Sequence, residues 1–346
     1  MISLEFIKGN SRIFTIILIC SAIIISFILN ITEGSVHIPW SDVTGILFGE
    51  SVKPVWRYIV LESRFPQAVT ALLCGASLAI CGLMLQTAFC NPLAGPSIFG
   101  INSGASLGVA IVILVFNGSL TTELLSVNGF LAIISGAFLG AMVVIMLLLV
   151  CSRIIHNSVA LLIVGIMIGY VSSAAISILN FFATDQGITA YVMWGMGNFS
   201  SVSSLHLPVF CLSLSLCIIL SMLLIKPLNA LLLGERYAVN LGFSIQKIRI
   251  YLLLVTGIQT AVTTAYCGPV AFIGLTVPHI TRMLLNTDDH ALLMPCTALI
   301  GSAVALLCNL ICVLPPDGSI MPLNAVTPII GAPVIIYIAM RHRKLA

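Results

Sequence analysis

Charge is nearly missing from this chain. Only 14 Lys and Arg and 11 Asp and Glu occur among 346 residues, 7% of the whole, where a soluble domain carries about 25%. A surface so poor in charge does not face water, which excludes a soluble enzyme or binding module. The small net charge of +3 gives no ground for a nucleic-acid partner. The chain has 11 cysteines but no C-x-x-C pair. Most of them, such as Cys20, Cys74, Cys81, Cys211 and Cys308, sit inside apolar runs. They read as small packing residues rather than as a disulfide or metal framework. G-x-x-x-x-G-K-[ST] and H-E-x-x-H are also missing, so no catalytic residue, metal site or bound cofactor is expected. The acidic residues lie almost wholly outside the apolar runs. A proton- or sodium-coupled carrier needs an ionisable group within its spans, so the driving energy is expected from elsewhere. An ion-coupled secondary carrier stays as the reading from a different class. His279, after Pro278, reads as a local structural residue at a helix break.

What the chain does have is apolar sequence: 60% hydrophobic residues and a mean hydropathy of +1.18. Runs of about 20 apolar residues are spanning helices. Ten are expected, near 13–31, 64–89, 97–116, 128–151, 158–182, 206–225, 248–267, 271–286, 291–313 and 322–340, the third and eighth interrupted by Gly, Asn or Pro. The run Ile13–Ile31 is too long for a signal-peptide core and has no A-x-A site after it, so a retained first span is expected. The fold class is therefore an all-α polytopic membrane protein, a single domain over 1–346. Placing the N-terminus in the cytoplasm puts Lys8, Arg12, Arg153, Lys226, Arg236, Lys247, Arg249, Arg282, Arg341, Arg343 and Lys344 inside, and Lys53, Arg57 and Arg64 outside. The excess of basic residues belongs on the cytoplasmic side, and an even number of spans returns the C-terminus there.

Residues 87–94 read TAFCNPLA and residues 264–271 read TAYCGPVA. Each closes a long apolar run, and an odd number of spans separates them, so the copies point in opposite directions. Opposed copies indicate an inverted repeat, with halves near 64–182 and 248–340. Gly100, Gly104 and Gly108, then Gly136 and Gly140, then Gly165 and Gly169, fall four apart. Such stripes let helix backbones approach closely in lipid. Between the sixth and seventh runs lies a polar loop, 227–247. Leu233, Ala238, Leu241 and Ile245 stand there at helical spacing, and Gly242 can end a short helix in the left-handed conformation. An amphipathic helix in this place suits docking to a soluble partner or lying on lipid.

Several long stretches resemble one family. They are RFPQ at 64–67, NPLAGPSIFGINSGASLG at 91–108, LLGERYAVNLG at 232–242, CGPVAFIGLTVPHITR at 267–282 and PLNAVTPIIGAP at 322–333. From about residue 57 to the C-terminus the chain is similar to the FecCD permeases, subunits of ATP-binding-cassette importers of iron chelates, haem and vitamin B12. The resemblance implies a multi-pass protein of the bacterial inner membrane, surrounded by lipid, that pairs with a second permease protomer, identical or paralogous. The pathway would follow the dimer axis. Two ATP-binding cassette subunits would hold ATP and Mg below it, and a periplasmic or lipid-anchored substrate-binding protein would sit above. It implies that Leu233, Gly234, Glu235, Ala238, Leu241 and Gly242 couple the chain to the ATPase. Asn157 and Ser158 would form a cytoplasmic gate, although both also have the chemistry of ordinary helix caps. Arg64 would meet carboxylates of the binding protein, or else anchor a helix end at the lipid headgroups. The first cargo expected is a ferric siderophore, with cobalamin or haem as the alternative. Gln67, Ile320 and Met321 depart from the family pattern, near the outer face or the last span, and bear on the docking.

Overall fold

The computed structural model describes residues 2–34, 36, 38–49, 53–115, 127–155, 157–315 and 320–342. The expected end of the third run at 116, and Arg343 and Lys344 at the C-terminus, lie outside the described residues. So does the side chain of Ser158. Every regular element among the described residues is helical. The helices are α1 (Ile2–Thr32), α2 (Trp40–Phe48), α3 (Pro54–Tyr58), α4 (Phe65–Ala88), α5 (Ile101–Ala110), α6 (Val127–Ile154), α7 (Ser158–Phe182), α8 (Asp185–Gly195), α9 (Leu207–Met222), α10 (Ile225–Leu232), α11 (Glu235–Asn240), α12 (Ile245–Cys267), α13 (Ile273–Leu285), α14 (His290–Val313) and α15 (Leu323–His342). A π-helical stretch, Ile59–Arg64, joins α3 to α4, and a second, Ile111–Val115, extends α5.

All ten expected apolar runs appear as helices in order. Six helices are long and apolar enough to cross a bilayer, and α9 with α10, bent by 46°, forms a possible seventh crossing. The third, eighth and tenth runs give shorter helices. The 13 residues of α13 reach only about 20 Å at 1.5 Å per residue, short of an apolar layer about 30 Å thick. Caps mark where helices begin. Asn157 Oδ1 accepts from the N–H groups of Val159 and Ala160 at 2.8 and 3.2 Å. Thr184 opens α8 and Asp289 opens α14 in the same manner. Each satisfies amide groups that a helix start leaves unpaired.

The two halves interlock. The first helix of the early half, α4, packs on α13 and α14 of the late half, while α12 packs on α5 and α6. Within each half the pairings also recur: α5 lies on α6 and α7, and α13 lies on α14 and α15. This exchange places α4 at the centre. In the continuous helix Pro54–Ala88, 83% of the most apolar stretch is buried, whereas α7 buries 17% of its own and keeps an unpartnered apolar face.

Glycine permits the closest approaches. A Cβ on Gly108 would lie 2.0 Å from Gly136 O, and one on Gly140 would lie 2.1 Å from Gly104 O. Gly104 and Gly108 with Gly136 and Gly140 are thus the α5–α6 contact, while Gly100 meets Gly165 of α7, a Cβ on Gly100 falling 2.7 Å from Gly165 O. The contact between α4 and α13 is closer still, with a Cβ on Gly82 falling 1.6 Å from Gly274 O. Pro278 has no N–H, so Gly274 O lacks its usual helical donor. The Cα hydrogen of Gly82 faces that oxygen instead, a weak C–H···O contact.

Candidate functional site

The loop between α9 and α12 folds as two short helices rather than the single one expected. Gly234, at φ +103°, separates α10 from α11, a left-handed backbone that glycine adopts without strain. Gly242 ends α11 as expected, at φ +86°. Phe243 N–H donates to Ala238 O at 3.0 Å and Gly242 N–H to Val239 O at 2.9 Å, the paired bonds of a Schellman cap. The C-terminal turn of α11 is therefore closed by its own hydrogen bonds. Glu235 accepts from Arg249 of α12 at 2.6 Å, and the arginine side chain is buried, which ties α11 to the bundle.

Leu233, Tyr237, Val239 and Leu241 all expose their side chains. Tyr237 and Leu241, four positions apart, share a face of α11 and with Leu233 just before the helix make an exposed apolar ledge on a polar loop, while Val239 points to another side. Ala238 does not share it: that residue is fully buried and packs into this chain's own core. The sequence spacing put Ala238 and Leu241 on one face. Leu241 keeps the helical register, its N–H donating to Tyr237 O at 3.1 Å, but it is exposed where Ala238 is buried, so Ala238 fastens α11 to the bundle and Leu241 stands clear of it.

Arg64 also requires a correction. It is buried, and its guanidinium donates to Ile31 O at 3.0 Å, to Thr32 O at 2.6 Å and to Val36 O. Those are carbonyls at and just beyond the end of α1, where a helix leaves acceptors unpaired. Gly34 leaves room for the guanidinium, since a Cβ there would lie 2.8 Å from it. Its donors are turned inward, toward the end of α1 rather than to the outside. Gln67 is internal too. It donates to Asn309 Oδ1 at 2.9 Å, and Asn309 donates to Asn30 Oδ1 at 2.6 Å, a buried amide chain across α4, α14 and α1. Ile320 is exposed, and Met321 N–H donates to Cys312 O at 2.9 Å.

Asn157 is exposed at the start of α7, its oxygen engaged in the cap described above. His279 Nε2 lies 2.8 Å from Pro92 O, where a ring N–H donates to the carbonyl, so it pins the stretch after α4. The letters Gly104–Gly108, GASLG, fit the spacing G-x-S-x-G, but Ser106 lies inside α5 and not on the strand-to-helix turn a nucleophile elbow needs. An apolar groove of about 740 Å³ runs between α5, α6 and α7, lined by residues such as Leu107, Leu139, Val143, Ile163 and Met167. It offers packing surface and almost no polar recognition.

Sequence reading missed the polar side chains that join helix ends. Arg282 Nη1 donates to Gln86 Oε1 at 2.7 Å, and Gln86 Nε2 donates to Leu275 O at 3.0 Å. Beside them, His290 of α14 is fully buried between Thr87 of α4 and Asn229 of α10. Mid-bundle, Gln259 meets Cys81 and Ser221, and Thr264 donates to Asn102 Oδ1 at 3.1 Å.

Known proteins share this arrangement over nearly the whole chain. The model of the FecCD transport family matches residues 22–341. The vitamin B12 import system permease protein BtuC of Photorhabdus laumondii is 34% identical over 340 residues, covering 97% of this chain and 95% of that protein. The hemin transport system permease protein HmuU of Yersinia pestis is 32% identical over 303 residues, covering 86% and 88%. A metal-chelate type ABC transporter, solved in an inward-facing conformation, superposes with a TM-score of 0.80 at 26% identity, covering 93% of this chain and 97% of the other. With apolar helices throughout, interlocked halves and an exposed, tethered loop, the chain belongs to the FecCD transport family.

Proposed function

We propose that this chain is the membrane-spanning permease subunit of an ATP-binding-cassette importer for a metal chelate, acting in the bacterial inner membrane. The observation that carries the reading is the ledge of Leu233, Tyr237 and Leu241. It is exposed, apolar and fastened to the bundle through Glu235 and Arg249, in a chain with no nucleotide-binding motif of its own. A tethered ledge of this kind suits a groove on an ATP-hydrolysing partner. Two such partners hold ATP and Mg, a second protomer covers the exposed face of α7, and a binding protein delivers cargo from outside. The excess of basic residues places both termini and the loop 227–247 in the cytoplasm. Asn157 and Ser158 then stand at the inner mouth of α7, where a gate belongs.

A ferric siderophore is the first cargo candidate, and the similarity to permeases named for vitamin B12 and hemin sets a corrinoid or haem beside it. Proteoliposomes holding the chain with its ATP-binding cassette and binding-protein subunits decide the matter. Expected is uptake of one of cyanocobalamin, haemin or a ferric hydroxamate that needs internal ATP; uptake on an ion gradient alone would overturn the importer reading. Burial of a leucine contributes about 1.5–3 kcal/mol, so Leu241→Asp weakens ATPase binding by roughly tenfold or more while the chain still inserts. Wild-type transport by that variant removes the ledge from the coupling surface.

A further inference from the structure

One end of α4 is joined to the loop by a single line of polar atoms. Asn229 of α10 directs its amide N–H to Asp289 Oδ1 at 2.7 Å. That contact fixes the orientation of the amide, so its Oδ1 faces His290, accepting from the backbone N–H of His290 at 2.8 Å. The same oxygen lies 2.8 Å from His290 Nδ1. An amide oxygen only accepts, so Nδ1 carries the ring proton. In the neutral ring Nε2 is then an acceptor, and the hydroxyl of Thr87, 2.9 Å away, donates to it. Each donor points the same way along the line, from Thr87 through His290 and Asn229 to Asp289. Such a chain is strong only when complete, and this one lies around a histidine with no exposed surface.

The elements that the line joins matter. Asn229 sits on α10, directly before the apolar ledge. Thr87 is the first residue of TAFCNPLA, and α4 stops one residue later at Ala88. We propose that His290 is a positioning residue of the transport cycle, carrying displacement of α10 to the end of α4 and so to the break that follows it. The proposal rests on the permease reading above. Gln86 and Arg282 clasp the same end of α4 to α13, so a shift of α10 meets a held pivot rather than a free helix end. Energetic coupling between distant sites needs such contiguous contacts and has to be measured as coupling, not inferred from position.

The test uses the reconstituted complex and five chains: wild type, Thr87→Ser, the isosteric Thr87→Val, His290→Ala, and the double variant Thr87→Val with His290→Ala. The readout is ATP hydrolysed per molecule moved, with cyanocobalamin, haemin and a ferric hydroxamate as probes. A role limited to packing leaves this ratio alone. Expected is a rise of about tenfold in Thr87→Val and in His290→Ala, a wild-type ratio in Thr87→Ser, and no further rise when Thr87→Val and His290→Ala are combined, as for residues acting as one unit. A ratio unchanged in both variants, or rises that multiply, would overturn the proposal. A second arm needs no cargo. Nitroxides at Leu93→Cys and Lys226→Cys, both exposed positions, on a cysteine-depleted background, report the distance between the break and α10. ATP should leave that distance narrowly distributed in wild type and broaden it in His290→Ala; equal widths overturn the linkage. A wild type that moves none of the probes with ATP undoes the permease reading, and the label distances still decide the linkage.

Discussion

The two near-identical segments, TAFCNPLA and TAYCGPVA, end helices in different ways. After the first, α4 stops at Ala88 and Cys90 takes the left-handed backbone, at φ +46°. After the second, α12 runs on through Cys267, which stands at the position matching Cys90, and Gly268 turns the chain at φ +75°. The first break is held largely from within. Asn91 N–H donates to Gln86 O, and Asn91 Oδ1 accepts from Leu93 N–H at 2.9 Å, a local Asx turn. The second is held from afar. Asn324 of α15 donates to Pro269 O at 2.5 Å and to Gly195 O at 3.0 Å, and accepts from Ala271 N–H at 3.2 Å. One motif thus sets that a helix breaks, while surrounding helices set where, and whether the break stands alone.

Substitution at the matched positions 91 and 268 should separate the two most widely. Gly268→Val places a Cβ 2.5 Å from Trp194 O on a left-handed backbone. Strain costs about 1–3 kcal/mol and overpacking about 1–3 kcal/mol more, so little monodisperse protein should survive in detergent. Next comes Asn324→Ala, which strips partners from two carbonyls and an amide. A buried group left unpaired costs about 1–3 kcal/mol, and amide exchange should quicken at 268–273 and 195–198 while 89–94 stays protected. Equal quickening in both breaks would erase the distinction between local and remote support. Asn91→Ala should cost about 0.5–1.5 kcal/mol, the net value of an ordinary hydrogen bond, and quicken exchange only at 91–95. Smallest is Leu93→Asp on the exposed side of the first break, expected within about 0.5 kcal/mol of wild type in thermal unfolding of the isolated chain.

How much of this could be read beforehand follows from range along the chain. Apolar runs, the helix-ending Gly242 and the glycine stripes are local patterns, and all of them recur in the structure. The helices α2 and α8 carry no spanning run, so hydropathy passes over them, although Thr184 before Asp185 is an N-cap signal. Arg64 misled because a lone basic residue at a span end normally reaches outward. Nothing in its neighbourhood announces that α1 will offer carbonyls to it. Ala238 is buried because α11 packs on α10 and α12, a long-range contact that local spacing does not announce. The line through Thr87, His290 and Asn229 spans separations of 203 and 61 positions, which one sequence does not connect.

The burial of Arg64 bears on how the protein is made. The last turn of α1 leaves the ribosome before the side chain that satisfies it, since Arg64 follows Thr32 by 32 positions. Until the second span arrives, those carbonyls depend on interfacial water. The first span therefore reaches the membrane as an unfinished piece, and the helix behind it completes its C-terminal end.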